Sequence, residues 1–292
     1  MQQRKLKIYF TSDVHGYFYP TTYGDMTEKN VGLFGCAGNF KKDEDTLILD
    51  GGDILQGSAF AYYCRQVADS PEVIADIMND CGYDYYTLGN HDFNYGLEYQ
   101  AAYRSRNNGV CVCQNITDEA GNTLFPWKLH TMKNGLRVGI VGIVTDYVNI
   151  WEKEENLKGI AQMKEQTDLT ICIYHGGFEC DLESGETLSQ TTENVGYRIC
   201  KELDFDILLT GHQHMSVPGR DISGTYTVQP CDNAKEYQYL EVTMTDHEKS
   251  IRSELRQSDA AKGTVLADKY RSTENAVQAW LNQPIGHLSR AI

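Results

Sequence analysis

The sequence predicts a mixed α/β fold, and two observations lead to that prediction. Apolar, strand-like runs alternate with amphipathic helical patterns along most of the 292 residues. Helices between strands favour parallel pairing, whereas Asn134-Gly135 between two strand-like runs is typical of an antiparallel hairpin. The combination indicates a mixed sheet, or two sheets, rather than a purely parallel one.

The elements follow from local patterns of apolar and turn-forming residues. Ser70 and Pro71, for example, are suited to the N-cap and the first position of a helix. The predicted strands cover 5–12, 46–50, 84–88, 110–114, 127–133, 136–144, 171–173 and 205–210, with two further antiparallel strands in 225–245 separated by Asp232-Asn233. The predicted helices cover 34–42, 59–68, 71–81, 96–107, 156–166, 193–202 and 258–282, the last one ending at Asn282 to Gly286.

Five short segments that carry metal-binding side chains each follow a strand-like run. Strands that end in this way place their side chains at one edge of a sheet, where adjacent strands converge. Five of the eight histidines lie in these segments, whereas His130, His247 and His287 do not. His130 and His247 are predicted to be non-ligands. The segments are Asp13-Val14-His15, Gly51-Gly52-Asp53, Gly89-Asn90-His91-Asp92, His175-Gly176-Gly177 and Gly211-His212-Gln213-His214.

This residue set suits a centre of two divalent ions, which can clamp both oxygens of a displacement at phosphorus from about 3.5–4 Å apart. Asp53 is the candidate bridging carboxylate, because Gly51 and Gly52 allow a tight turn beside it. Asn90, through its amide oxygen, and His175 can complete the shell of one ion. Residues two apart in an extended segment face the same way, which pairs Asp13 with His15 and His212 with His214.

The donor types also indicate the metals and the chemistry. Nitrogen and oxygen ligands without thiolate favour Mn, Fe, Zn or Co. The expected nucleophile is a hydroxide that bridges the ions, since metal binding lowers the pKa of water towards roughly 7. His91 directly follows a ligand and is expected to act on the leaving oxygen or the phosphoryl charge, an effect typically worth about 10²–10⁴ in rate.

Composition excludes some partners and leaves others open. The net charge of −15 repels polyanions, so a nucleic-acid polymer is not expected, whereas a small phosphorylated substrate is compatible. Nine cysteines without a Cys-x-x-Cys pair indicate reduced, mostly buried thiols. Met1 to Lys7 lack an apolar signal-peptide region, and no run reaches transmembrane length. We therefore expect no membrane association and a cytoplasmic location for the chain as written, or a secreted or cell-envelope one if it is trimmed.

The five segments resemble the pattern of the calcineurin-like metallophosphoesterase superfamily: Asp-x-His, Gly-Asp, Gly-Asn-His-Asp/Glu, His and Gly-His-x-His. The resemblance extends from about residue 6 to 245, and Leu88 to Gly96 is similar to the 5′-nucleotidase and cyclic-phosphodiesterase branch. It implies two facing mixed sheets flanked by helices in a four-layer sandwich. It also implies two metal shells, one of Asp13, His15, Asp53 and His214 and the other of Asp53, Asn90, His175 and His212.

Two positions discriminate within that branch. The 5′-nucleotidase/UDP-sugar hydrolase type usually has aspartate at the position of Asn94, and often glutamine at the position of His214. The residues present here are closer to the 2′,3′-cyclic-nucleotide 2′-phosphodiesterase/3′-nucleotidase type. The resemblance therefore implies that His91 and Asn94 are the catalytic pair, with Asn94 orienting His91 by a hydrogen bond.

The same resemblance predicts the domain organisation. Residues 1–257 are expected to form the catalytic domain, and 258–292 a C-terminal helix and the start of an inter-domain connection. The nucleoside-binding second domain of the branch has no match in this sequence. Three functions stay open: nucleotide hydrolysis of the cyclic-phosphodiesterase type, hydrolysis of 5′-nucleotides, nucleotide sugars or general phosphodiesters, and a metal-binding domain of low activity.

Overall fold

The computed structural model describes residues 3–25, 27–145, 154–245, 247–284 and 286. In chain order the strands are β1 (Arg4–Thr11), β2 (Thr46–Asp50), β3 (Tyr85–Tyr86), β4 (Val110–Cys111), β5 (Cys113–Thr117), β6 (Thr123–Phe125), β7 (Lys128–Thr131), β8 (Arg137–Val144), β9 (Leu169–His175), β10 (Ile207–Thr210), β11 (Val217–Ile222), β12 (Thr225–Gln229), β13 (Glu236–Met244) and β14 (Lys249–Gln257). The helices are α1 (Leu33–Ala37), α2 (Ala59–Gln66), α3 (Glu72–Cys81), α4 (Leu97–Arg106), α5 (Glu154–Gln166), α6 (Gly196–Leu203), α7 (Thr264–Lys269) and α8 (Arg271–Leu281).

Most strands belong to two six-stranded mixed sheets. The first has the order β14-β13-β1-β2-β3-β4, and its β1 to β4 part is parallel. The second has the order β11-β12-β10-β9-β8-β7, with parallel pairing from β12 to β8 and antiparallel strands at both edges. The strands β5 and β6 form a separate two-stranded sheet.

The two sheets face each other across an apolar core. Alternate side chains of β1, such as Ile8 and Phe10, pack with Ile171 and Leu209 of the second sheet. Tyr9 points the other way, into a core shared with the N-terminal helices. The helices α5 and α6 cover the outer face of the second sheet. The prediction of a four-layer sandwich of two mixed sheets flanked by helices is therefore confirmed.

Several element boundaries differ from the sequence predictions. The predicted strand 110–114 is divided at Val112, and β5 leaves the first sheet. The two strands predicted in 225–245 do form, but β12 joins the second sheet and β13 the first, so they are not partners. The helix predicted at 34–42 ends at Ala37, and the one predicted at 193–202 begins only at Gly196. The edge strands β11 and β14 were not predicted.

The predicted helix at 258–282 is also wrong as a single helix. A 3₁₀ turn at Ala260–Lys262 precedes α7 and α8, which meet at Tyr270. The Tyr270 ring stacks on Phe34 with centroids 6.0 Å apart, and a Cβ at Gly263 would lie 2.5 Å from the Phe34 carbonyl carbon. Close packing on α1 therefore imposes the break. The domain boundary at residue 257 stays a prediction, and Ile285 lies outside the described residues.

Within the described ranges, no helix is both long and apolar enough to cross a membrane. All nine cysteines are free, seven of them buried.

Candidate metal centre

The five predicted segments meet where the carboxyl ends of the two sheets face each other. The first three segments follow β1, β2 and β3 of the first sheet, and the last two lie at the ends of β9 and β10 of the second. Their donor atoms form two clusters, each with its members within 4.8 Å of one another. The clusters are Asp13, His15 and His214, and Asp53, His175 and His212.

The spacing of the donor atoms within the clusters suits shared metal ions. The Nε2 atoms of His15 and His214 are 3.1 Å apart, and His214 Nε2 is 3.6 Å from Asp13 Oδ1. His175 Nε2 lies 3.2 Å from Asp53 Oδ2 and 3.2 Å from the amide oxygen of Asn90. Ligand atoms about 2.0–2.2 Å from one ion are themselves roughly 3–3.5 Å apart. The predicted residue Asn90 thus lies beside the second cluster.

In three of the candidate histidine ligands, a hydrogen bond at one ring nitrogen decides which nitrogen is left to face the cluster. His15 Nδ1 donates to the Gln56 carbonyl at 2.8 Å, and His175 Nδ1 donates to the Gly51 carbonyl at 2.7 Å. A carbonyl oxygen only accepts, so these Nδ1 atoms carry the hydrogen and Nε2 is available as a ligand. His212 is reversed, because its Nε2 donates to Glu193 Oε1 at 3.0 Å and leaves Nδ1 for the centre.

The backbone at the centre is strained. Five of the seven predicted metal ligands have φ in the left-handed region, which non-glycine residues adopt at a cost. Neighbouring loops hold this conformation: Asp13 N donates to the Gly52 carbonyl at 3.0 Å, and His15 N donates to the Asp53 carbonyl at 2.8 Å. The φ values are 55° at Asp13, 52° at His15, 59° at Asp53, 70° at His212 and 55° at His214.

Glycines allow the loops after β2 and β3 to approach each other closely. Gly52 has φ 92°, and a Cβ there would lie 2.4 Å from Gly89 N. A Cβ at Gly89 would lie 2.1 Å from Asp53 Oδ1. At Gly51 the φ is ordinary, but a Cβ would meet Ser12 Oγ at 2.4 Å. The predicted tight turn beside Asp53 is therefore present, and it depends on close contacts as much as on φ.

Asp92 joins these two loops, a role that the sequence reasoning missed. The carboxylate is only 1% exposed and accepts hydrogen bonds from Gly89 N at 2.8 Å and from Asp53 N at 2.9 Å. It also accepts from Ile54 N at 2.9 Å and from Leu55 N at 3.0 Å. Its position directly after Gly89-Asn90-His91 was noticed only as part of the motif.

The electrostatics of the centre favour a positive charge. Asp13 and Asp53 are buried, and burial alone would raise their pKa values, yet the nearby histidines, His175 above all, bring both below the usual range. Burial likewise opposes the charged form of His175, but Asp53 and Asp13 raise the pKa of His175 to about 10. Buried carboxylates need such compensation, and divalent cations would supply it. Among the described residues, both donor clusters consist of carboxylate and imidazole groups.

His91 lies next to both clusters. Its ring centroid is 5.4 Å from that of His15, and its backbone N donates to Asp53 Oδ1 at 2.7 Å. Asn94 Nδ2 is 2.7 Å from His91 Nδ1, the contact predicted for the orienting residue. Asn94 therefore engages Nδ1 and leaves Nε2 as the ring nitrogen available to a substrate.

The remaining histidines lie elsewhere or outside the described residues. His130 is on β7, where its Nδ1 is 3.0 Å from the Tyr85 hydroxyl. His247 lies in the turn between β13 and β14. His287 lies outside the described residues. Neither His130 nor His247 belongs to a donor cluster.

Replacing Asp92 by asparagine should weaken both the fold and the centre. One acceptor oxygen becomes an amide NH₂ that faces backbone N–H groups, so we expect Asp92→Asn to lower the free energy of unfolding by about 1–3 kcal/mol. Urea denaturation and the metal content of the purified protein measure these effects. Asp118→Asn is the control, because Asp118 accepts backbone N–H groups at an exposed turn. Equal stability of the two variants would contradict this role of Asp92.

Comparisons with known proteins agree with this geometry. The chain is 27% identical over 262 residues to the trifunctional nucleotide phosphoesterase protein YfkN of Bacillus subtilis, covering 76% of this chain and 17% of that protein. It is 26% identical over 262 residues to a Yersinia enterocolitica 2′,3′-cyclic-nucleotide 2′-phosphodiesterase/3′-nucleotidase, a match that covers 79% of this chain and 39% of that protein. A Staphylococcus aureus structure described as a 5′-nucleotidase superposes with a TM-score of 0.86 at 29% identity. The superposition covers 98% of this chain and 60% of that one.

These relatives are longer than this chain, which spans less than two thirds of each. The sequence profile of the calcineurin-like phosphoesterase family matches residues 6–216, a stretch that contains all nine predicted site residues. The superfamily predicted from the motifs is thereby confirmed: the chain belongs to the calcineurin-like phosphoesterases, a family of metal-dependent phosphoric ester hydrolases.

Proposed function

We propose that this protein hydrolyses phosphoester bonds of nucleotides with two divalent metal ions, of Mn, Fe, Zn or Co. The observation that carries the proposal is the pair of adjoining donor clusters, with Asp13 Oδ1 4.0 Å from His175 Nε2 and His91 beside them. One ion would be held by Asp13, His15, Asp53 and His214, and the other by Asp53, Asn90, His175 and His212.

When bound, such ions polarise the phosphoryl oxygens and provide an activated water as the nucleophile. The protein itself positions the His91 side chain, which can supply a proton. Asp53 Oδ1 accepts the backbone N–H of His91, so the loop that carries His91 is tied to the candidate bridging carboxylate. Asn94 holds the His91 ring at Nδ1, and Nε2 can then donate to the leaving oxygen or to a phosphoryl oxygen.

Among nucleotide hydrolases, we favour the 2′,3′-cyclic-nucleotide 2′-phosphodiesterase/3′-nucleotidase type. Asn94 in contact with His91, and His214 in the first cluster, are the residues that distinguish this type by resemblance. The Yersinia enterocolitica relative carries that name. The Staphylococcus aureus structure, described as a 5′-nucleotidase, favours the alternative of that activity. Nucleotide sugars and general phosphodiesters are the further substrates that this alternative includes. A complete set of ligands and an intact His91 argue against a metal-binding domain of low activity.

A substrate panel separates these possibilities. We expect the protein, freed of metal with EDTA and reloaded with Mn²⁺ or Zn²⁺, to hydrolyse 2′,3′-cyclic AMP and 3′-AMP faster than 5′-AMP, UDP-glucose or bis-p-nitrophenyl phosphate. Phosphate release measures the rates with 3′-AMP and 5′-AMP, chromatography of the nucleotide products those with 2′,3′-cyclic AMP and UDP-glucose, and p-nitrophenolate absorbance that with bis-p-nitrophenyl phosphate. The EDTA-treated protein without metal is the control. Preference for 5′-AMP or UDP-glucose would select the alternative, and no hydrolysis of any of the five would overturn the proposal.

Two alanine variants should separate catalysis from metal binding. His91→Ala should keep two bound metals but lose about 10²–10⁴ in turnover, because His91 acts on the substrate and not on an ion. Asp53→Ala should lose the metals themselves, because the bridging carboxylate is removed. Elemental analysis and turnover are measured on the same samples. Release of a metal from His91→Ala, or its near-full activity on 2′,3′-cyclic AMP and bis-p-nitrophenyl phosphate, would show that the role is wrongly assigned.

Asn94→Asp should leave turnover intact or raise it. A carboxylate at this position can accept the Nδ1 hydrogen of His91 and stabilise the imidazolium form better than an amide can. Asn108→Asp adds the same charge at an exposed position of the turn after α4 and serves as the matched control. A tenfold or larger fall in turnover in Asn94→Asp alone would contradict the orienting role.

A further inference from the structure

Glu193 contacts one of the candidate ligands in a way that the other ligands do not share. Its Oε1 lies 3.0 Å from His212 Nε2, whereas the outer nitrogens of His15 and His175 are bound by backbone carbonyls. A carboxylate accepts this hydrogen bond with a full negative charge. The orientation of the His212 ring therefore depends on a side chain, whereas backbone carbonyls orient the rings of His15 and His175.

The backbone of Glu193 is held by residues next to the centre. Its carbonyl accepts hydrogen bonds from the hydroxyls of Thr145 and Tyr174, the second at 3.3 Å. The Tyr174 hydroxyl also accepts from Val195 N at 3.1 Å. Because Tyr174 directly precedes His175, the segment that carries Glu193 is fixed to the end of the strand that carries a candidate ligand.

Asn194 attaches the same segment to the loop after His175. Its Oδ1 accepts from Gly177 N at 2.8 Å, and Gly196 N donates to the Gly177 carbonyl at 2.8 Å. These bonds explain why α6 begins at Gly196 and not at Glu193. They also fix the backbone from which the Glu193 side chain extends, although that side chain is 36% exposed.

We propose that Glu193 is a positioning residue that fixes the tautomer and ring orientation of His212, so that Nδ1 of His212 binds the second metal ion. The inference rests on the proposed two-metal centre. A carboxylate on the outer nitrogen makes a histidine a more basic ligand and restricts its rotation, and loss of such a partner typically weakens metal binding about 10–100-fold. Glu193 is itself in neither donor cluster, so it acts through His212.

Metal affinity tests this role independently of turnover. We titrate the metal-free protein with Mn²⁺ and follow free Mn²⁺ by electron paramagnetic resonance. We expect Glu193→Ala to weaken one of two sites about 10–100-fold, and Glu193→Gln, which keeps an acceptor, to weaken it less. Glu186→Ala removes an exposed carboxylate from a nearby loop and should match the unaltered protein.

The tautomer provides a second readout. In the Zn²⁺-loaded protein with ¹⁵N-labelled histidine, the His212 signals, assigned by their loss in His212→Gln, should show a protonated Nε2 and a metal-bound Nδ1. Metal bound at Nε2, unchanged Mn²⁺ affinity in Glu193→Ala, or an equal loss in Glu193→Gln and Glu193→Ala would overturn the proposal. Fewer than two Mn²⁺ sites in the unaltered protein would instead overturn the proposed two-metal centre.

Discussion

The buried carboxylate of Asp92 is the interaction on which the rest of the centre depends. It accepts four backbone N–H groups from the loops after β2 and β3, which carry Asp53 and Asn90 respectively. Burial and the neighbouring Asp53 raise the pKa of Asp92, and the backbone N–H donors oppose that shift because they favour the ionised form. The same hydrogen bonds hold the left-handed backbone of Asp53 in place. Two loops from separate strands thereby become one support for the candidate ligands Asp53 and Asn90.

The structure brings together the candidate site residues that the sequence singled out, and it confirms the predicted fold class with changes to several elements. All seven candidate ligands, together with His91 and Asn94, lie at one edge of the two sheets. This was predictable because each ligand follows an apolar strand directly, and the carboxyl ends of parallel strands share an edge. The pattern that predicts each candidate ligand therefore lies within a few residues of it and is visible in a single sequence.

The parts that were not predicted depend on contacts between residues far apart in the chain. Strand patterns exist at both β12 and β13, but only the packing of the sheets places them in different sheets. The break at Tyr270 requires Phe34, more than 200 residues earlier. The contact of Glu193 with the centre was not predicted, because its partner His212 is separated from it by α6 and β10.

The four buried carboxyl groups of the centre differ in the partners that surround them. Asp92 faces backbone N–H groups, and Asp50 accepts from Thr11 Oγ1 at 2.8 Å and from Gly52 N at 3.0 Å, while burial raises the pKa of Asp50 to about 7. Asp13 and Asp53 also accept backbone N–H groups, from His212 and His91, but in addition they face histidine ring nitrogens. Backbone N–H groups and the Thr11 hydroxyl are the partners of the first pair, whereas the second pair lies in the donor clusters beside histidine rings. The first pair thereby supports the loops, whereas the second pair belongs to the candidate metal centre.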